Sequence, residues 1–452
     1  MAQSNHSSLH QGSRSSETLL NSLINNGYLE KEIELKQTTT RLELIAQAIS
    51  SAKMKKEMEE AAVKQKIEKP SPDRVLYARQ KNGKAPVTGG TPISEETAIS
   101  LRSVVFGTAS APLRTEWSRT GLGIKSDGDY HLRGTRNTTR GLLTVLQAEL
   151  IKFLLFDRSN PKGEPPDKLL NATPTRLQEG LLHAICTIIW RAAEKSSAIL
   201  CLPQEKIYLY QSMEYFQDGI TEKLHTFEVK NYDDLEIMVK RYAHLFLEDP
   251  GPGALLLLYT CILSRGAQKI ITDMDGTRAM LLGPEDEGSL CVVTLMLTGR
   301  ATPYLHNGVI YVGDEDHYAV PRFGILSRNE IGLLVHCETM QEDIESNVPG
   351  SRLKTPSLPI WVIFLSGHFG VMYNTNRELL HNYHAERRFD LIYLTCGGLY
   401  YHLTVDTRQA GYTTRVNCEE TTVSSISGME KVIQTKWPDA QVFWNNATAK
   451  AS

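Results

Sequence analysis

The chain has no paired-cysteine motif. Its seven cysteines, Cys186, Cys201, Cys261, Cys291, Cys337, Cys396 and Cys418, stand singly, with neither CxxC nor metal-type spacing. That argues against a zinc ribbon, a thioredoxin-like redox site and a disulfide framework, and the expectation is reduced, buried thiols in a cytoplasmic or nuclear protein. A long apolar run is missing too. The longest, residues 254–263 around Leu255-Leu256-Leu257-Leu258, is about half of the ~20 residues a membrane helix needs. Residues 1–16 are polar and lack the apolar core of a signal peptide, so secretion is not expected and the Asn446-Ala447-Thr448 sequon is expected to stay unmodified. Neither charge sign dominates: 49 basic against 52 acidic residues leave a net charge of −3. Nothing there suggests a nucleic-acid or membrane-surface partner. His381 and His384 lie close in sequence without a third or fourth ligand nearby, so neither a metal nor a cofactor is expected.

What is present fits one large domain with an N-terminal extension. At 452 residues, 41% hydrophobic and 22% charged, the chain can bury a full core. Residues 1–16 read as disordered. Residues 17–69 carry Leu19, Leu20, Leu23, Ile24, Leu29, Ile33 and Leu35 and then a charge-rich stretch, which predicts an extended helix or coiled coil, solvated or partner-binding. Residues 70–91, with Pro70, Pro72, Gly83, Pro86, Gly89 and Gly90, read as a flexible linker. The folded domain is expected over 92–445, followed by a short tail over 446–452.

The domain is organised around residues 133–141, which feed an apolar run through Phe156. Asn137, Thr138 or Thr139 can cap the first turn, and Leu142, Leu146, Leu150 and Phe153 fall on one face at helical spacing. A buried helix start behind a small-residue loop is where a cysteine hydrolase keeps its nucleophile, because free N–H groups and the helix dipole stabilise a thiolate and an oxyanion. Here Arg140 occupies that position.

Other elements are legible. Ser94 with Glu95 and Glu96 predicts a helix start, with Leu101, Val104 and Val105 facing inward and Gly107 as the stop. Thr173-Pro174 starts a second strong helix. Residues 207–229 alternate enough to suggest strands, Asn231 caps a further helix, 251–264 is a buried helix, and 290–297 is a helix or a strand. The last third is strand-rich: 359–365 and 369–373 about the turn Ser366-Gly367-His368, then 389–394 and 400–405 about Cys396-Gly397-Gly398.

The sequence resembles the MINDY family of deubiquitinases, which cut lysine-48-linked polyubiquitin, in the branch holding its third and fourth members and an inactive paralogue. Active members carry Gln-x-x-Gly-Gly-Pro-Cys-Gly before an apolar helix. Laid over this chain, the nucleophilic Cys becomes Arg140, the Pro becomes Thr139, the glycines become Asn137 and Thr138, and the oxyanion-holding Gln becomes Gly134. Phe106-Gly107, Trp117, the string Leu297-Thr298-Gly299-Arg300-Ala301 with Asn307-Gly308, and Gln434-Thr435-Lys436-Trp437-Pro438 also match, so the resemblance covers about 92–444. The turn at Gly299 is expected to be structural, with Arg300 pairing locally. His368, in Ser-Gly-His-Phe-Gly, stands where the family keeps its general base.

The resemblance implies an α+β, papain-like cysteine-protease-type fold, with the apolar central helix packed on a mostly antiparallel sheet. It also implies lost chemistry. A guanidinium stays protonated and cannot attack a carbonyl, and loss of the amide at Gly134 removes an oxyanion donor worth about 10²- to 10³-fold in rate. The implied function is a pseudo-deubiquitinase with polyubiquitin as candidate ligand. Two alternatives stay open: an active enzyme with a relocated nucleophile, for which Cys396 is a better candidate than Cys261, and an interaction protein acting on an unknown partner through the 17–69 helix.

Overall fold

Local capping chemistry sets most of the helix boundaries. The computed structural model describes residues 84–124, 130–132, 134, 138–161, 163–276, 278–283, 288–313, 320–336, 348–408 and 428–445; the helix expected over 17–69, together with Asn137, Cys337 and Cys418, lies outside these residues. Ser94 Oγ accepts from the Thr97 amide at the start of α1 (Glu95–Phe106), and Gly107, at φ 83°, ends it. Helix α2 (Thr115–Arg119) carries the fully buried Trp117. Helix α3 (Arg140–Phe156) is the helix expected from the apolar run, and it is buried on nearly every side, Thr144, Gln147 and Glu149 included. After α4 (Pro166–Leu170), Thr173 accepts from the Arg176 amide and Pro174 opens α5 (Pro174–Ala192).

Asn231 likewise accepts from the Asp234 amide to start α6 (Tyr232–Arg241), which leads through α7 (Ala243–Leu247) to α8 (Gly253–Arg265), a helix whose Leu255 to Leu258 are wholly enclosed. The chain continues into α9 (Ala267–Asp273). The ambiguous segment after residue 289 is helix α10 (Leu290–Thr298), capped by Ser289 and ended by Gly299 at φ 82°. Among the described residues no single helix is long and apolar enough to cross a membrane.

Strands β1 (Thr91–Pro92), β2 (Ala198–Pro203) and β3 (Leu224–Val229) form a three-stranded antiparallel sheet in the order β1-β3-β2. The strands expected over 207–229 shrink to β3 alone. Its partner is the apolar β2, and the preceding stretch satisfies its backbone by loop contacts, Phe216 N–H donating to Ala109 C=O and Asp218 and Gly219 N–H to the Glu222 carboxylate. A separate ribbon, β4 (Val309–Val312) with β5 (Val320–Phe323), leaves apolar side chains in solvent, Tyr311 at 70% exposure.

The second half builds a six-stranded sheet. It comprises β6 (Gly332–His336), β7 (Ile360–Leu365), β8 (His368–Tyr373), β9 (Arg388–Thr395), β10 (Tyr400–Asp406) and β11 (Gln441–Asn445) in the spatial order β11-β10-β9-β8-β7-β6. Every pairing is antiparallel except β6 with β7. The short helix α11 (Ser351–Lys354) precedes β7, and α12 (Gly428–Gln434) precedes β11. One face of the sheet, with Val362, Phe369, Val371 and Leu394, joins the core containing α3. The other, with Trp361, Ile363, Met372 and Leu391, packs against Met429, Val432 and Ile433 of α12 and Trp437. Burial on both faces is why the Ile360–Leu365 segment is apolar without alternation. The architecture is α+β, with mixed helices and mostly antiparallel sheets.

Candidate functional site

The tip of α3 is built without the side-chain cap expected of it. Thr139 occupies the cap position in a helical conformation, φ −82° and ψ −9°, and makes no side-chain cap bond; a capping hydroxyl needs extended backbone to reach the free amides. The hydroxyl of Thr138 is committed elsewhere, accepting from Trp117 Nε1 at 2.6 Å and lying 3.3 Å from Glu116 Oε1. One turn into the helix, Thr144 Oγ1 donates to the Arg140 carbonyl at 2.8 Å.

Two of the expected site positions meet here. A Cβ on Gly134 would lie 3.6 Å from Arg140 Cγ and 3.1 Å from Leu143 Cδ1, so the position aligned with the oxyanion Gln and the one aligned with the nucleophile are neighbours. Gly134 N–H donates to the Cys396 carbonyl at 3.0 Å, tying the loop before α3 to the end of β9. Cys396 arrives with it, although nothing in the sequence places this cysteine at a helix start. Its Sγ lies 3.0 Å from Thr144 Oγ1 and 3.2 Å from the Phe369 carbonyl. The Thr144 proton goes to the Arg140 carbonyl and the Cys396 thiol donates to the Phe369 carbonyl.

His368 opens β8 after the Ser366-Gly367 turn, where φ is 47° and 90°. Phe369 faces α3, its ring 3.5 Å from where a Cβ on Gly141 would sit, whereas Gly370 faces the Tyr393 ring on the other side. Strand alternation therefore assigns His368 to the face of Gly370 and Met372, opposite its pair partner Leu365, which packs with the α12 cluster. Between α3 and β8 the remaining space is a cavity of about 10 Å³ lined by Leu143, Thr144, Gly370 and Cys396, too small for more than one water.

One buried group in α3 was overlooked because an isolated Glu in an apolar helix resembles any other charged residue in sequence. Glu149 pairs with Arg191 at 2.7 Å and with Lys152 at 2.5 Å. Burial works against its charge, yet the Arg191 and Lys152 cations hold its carboxyl down to about 2 from 4.5. The turn at 298–301 is structural as expected: a Cβ on Gly299 would lie 2.5 Å from the Arg191 carbonyl, and Arg300 pairs with Asp273 at 3.1 Å and lies over the Phe323 ring. Among the described residues no three His, Cys, Asp or Glu side chains cluster as a metal site.

Comparison with known proteins places this α+β domain among the conserved domains of a deubiquitinating-enzyme family. A family model described as "Deubiquitinating enzyme MINDY-3/4, conserved domain" matches residues 102–446. The chain belongs to that family. It is 30% identical over 365 residues to the "Probable ubiquitin carboxyl-terminal hydrolase MINDY-4" of Xenopus tropicalis, covering 79% of this chain and 46% of the relative. Identity is 28% to the human MINDY-4 over 366 residues, with 80% and 46% covered, and 23% to the mouse MINDY-3 over 319 residues, with 63% and 67% covered. The chain thus spans about half the length of the MINDY-4 relatives it matches. No solved structure matches it.

Proposed function

We propose that this protein is a pseudo-deubiquitinase, a papain-like MINDY domain that engages lysine-48-linked polyubiquitin without cleaving it, in the cytoplasm or nucleus. The observation that carries the reading is Arg140 at the first position of α3 with Gly134 against its side chain. A group that is always cationic supplies neither nucleophile nor anion stabilised by the helix dipole. His368 is the remnant of a general-base position. Three of the described thiols are poor replacements, since burial pushes Cys186 and Cys201 up to about 12 and raises Cys261 as well, and the Cys396 thiol donates to the Phe369 carbonyl. Chain binding requires surface rather than a nucleophile, and Ile310, Tyr311, Val320 and Phe323 of the β4–β5 ribbon provide exposed apolar surface.

A ubiquitin probe with an electrophilic C-terminus tests the loss of activity. The expected result is no covalent adduct with the full chain. An adduct abolished by Cys396→Ala would establish the relocated-nucleophile alternative instead.

The paired substitution Arg140→Cys with Gly134→Gln is expected to leave lysine-48-linked chains uncut in a gel assay. The new Gln would press on Leu143, whose Cδ1 already lies 3.1 Å from where a Cβ at 134 would sit, and the space between α3 and β8 is only about 10 Å³. Turnover by that variant would mean the cleft is intact and only two side chains were lost.

A further inference from the structure

We infer that the start of α3 is shut by an autoinhibitory contact: the backbone at Gly288 and the ring of Phe369 lie over its first turn, where a scissile carbonyl has to come to reach the helix amides. The inference rests on the reading of that turn as a former cleft. It adds a steric closure to the lost side-chain chemistry.

Three elements converge there. A Cβ added to Gly288 would stand 2.5 Å from the Gly141 nitrogen, 2.9 Å from Gly141 Cα and 3.0 Å from Phe369 Cε2. Real Cβ atoms do not approach so closely, and φ at Gly288 is 140°, so the chain crosses α3 at a point that only glycine can occupy without a shift. Seen from α3, a Cβ on Gly141 would meet Val293 Cγ2 at 3.3 Å, Gly288 Cα at 3.4 Å and Phe369 Cζ at 3.5 Å. Thr138, Thr139, Gly141, Leu142 and Leu143 are all buried as a result.

The contact is held from behind. Ser289 is buried, and its hydroxyl accepts from the Cys291 N–H at 3.1 Å and from Arg278 at 3.3 Å, which fixes the residue next to Gly288 at the start of α10. Phe369 is paired with Phe364 of β7 across the sheet, their ring centroids 4.8 Å apart. A peptide strand laid beside another takes up about 4.8 Å of width, whereas the space left between α3 and β8 is about 10 Å³. A substrate tail therefore reaches the helix start only if Gly288 or Phe369 gives way.

Hydrogen exchange in the full chain tests the contact. The amides of Gly141 and Leu142 belong to the first turn, which has no intrahelical acceptors, so at an open helix start they exchange at the unprotected rate. The expected result is exchange at least about 100-fold slower than that. Phe369→Ala is expected to speed it at least about ten-fold while amides 146–150, inside α3, keep their rates. Where that variant does not fold, Gly288→Val, whose side chain drives the crossing segment off Gly141, is expected to do the same. Unprotected exchange at Gly141 and Leu142 in the unaltered chain overturns the inference, as does unchanged exchange in a folded variant. Exchange reads the contact whatever the electrophilic ubiquitin probe reports, so closure of the tip and loss of its chemistry fail separately.

Discussion

Replacing Arg102 with alanine is expected to destabilise the domain by about 3–5 kcal/mol, the range found when one partner of a buried ion pair is removed. Arg102 projects from α1 with both it and Asp218 at 1% side-chain exposure, 2.7 Å apart. The guanidinium also donates to the Phe216 carbonyl at 3.1 Å and to the Ala111 carbonyl, so truncation strands a buried carboxylate and two carbonyls together. Asp218 in turn accepts from the amides of Ile220 and Thr221 and from the Thr221 hydroxyl, which shapes the loop leading into β3. The loss should appear as a lower denaturant midpoint by circular dichroism. Arg102→Met combined with Asp218→Asn is expected to be milder than Arg102→Ala alone, because no uncompensated charge remains. A single-variant loss below about 1 kcal/mol would mean that water reaches Asp218 and replaces the guanidinium.

Acidification is expected to remove about 3 kcal/mol of stability through Glu149 alone. Its carboxyl stands at about 2 in the folded chain against an ordinary 4.5; each pH unit of difference corresponds to about 1.4 kcal/mol. The folded state binds the ionised form more tightly, so this contribution is complete above about pH 4.5 and is lost as pH falls toward 2. Glu149→Gln should lose it at neutral pH as well, since Arg191 and Lys152 would then share a neutral acceptor in the core of α3. Unfolding free energies of the two proteins should differ most at pH 7 and converge near pH 2. Curves that stay parallel over that interval would show that Glu149 does not carry the charge of this pair.

Much of the helical framework was readable because its causes are local. Ser94, Thr173 and Asn231 cap helices from three residues away, and the glycines at 107 and 299 end helices by adopting positive φ. The strand-rich third was readable because 360–365 is a continuous apolar run, while 388–395 alternates with Phe389, Leu391 and Tyr393 buried. The segment before β3 was not, because whether an alternating stretch becomes a strand depends on a partner distant in sequence, and only Leu224–Val229 finds β2. The cap at Thr139 failed because its backbone is itself helical, and Trp117, from another helix, takes the hydroxyl of Thr138.

The amino-acid sequence alone determined that α3 opens on a guanidinium, since the charge of arginine is a property of the residue and survives any environment. Only the tertiary structure decided what surrounds it. Gly134 and Cys396 reach the same helix tip because the end of β9 hydrogen-bonds to the loop before α3. The pleat of β8 sends adjacent side chains to opposite faces, and the one that packs on the start of α3 is Phe369.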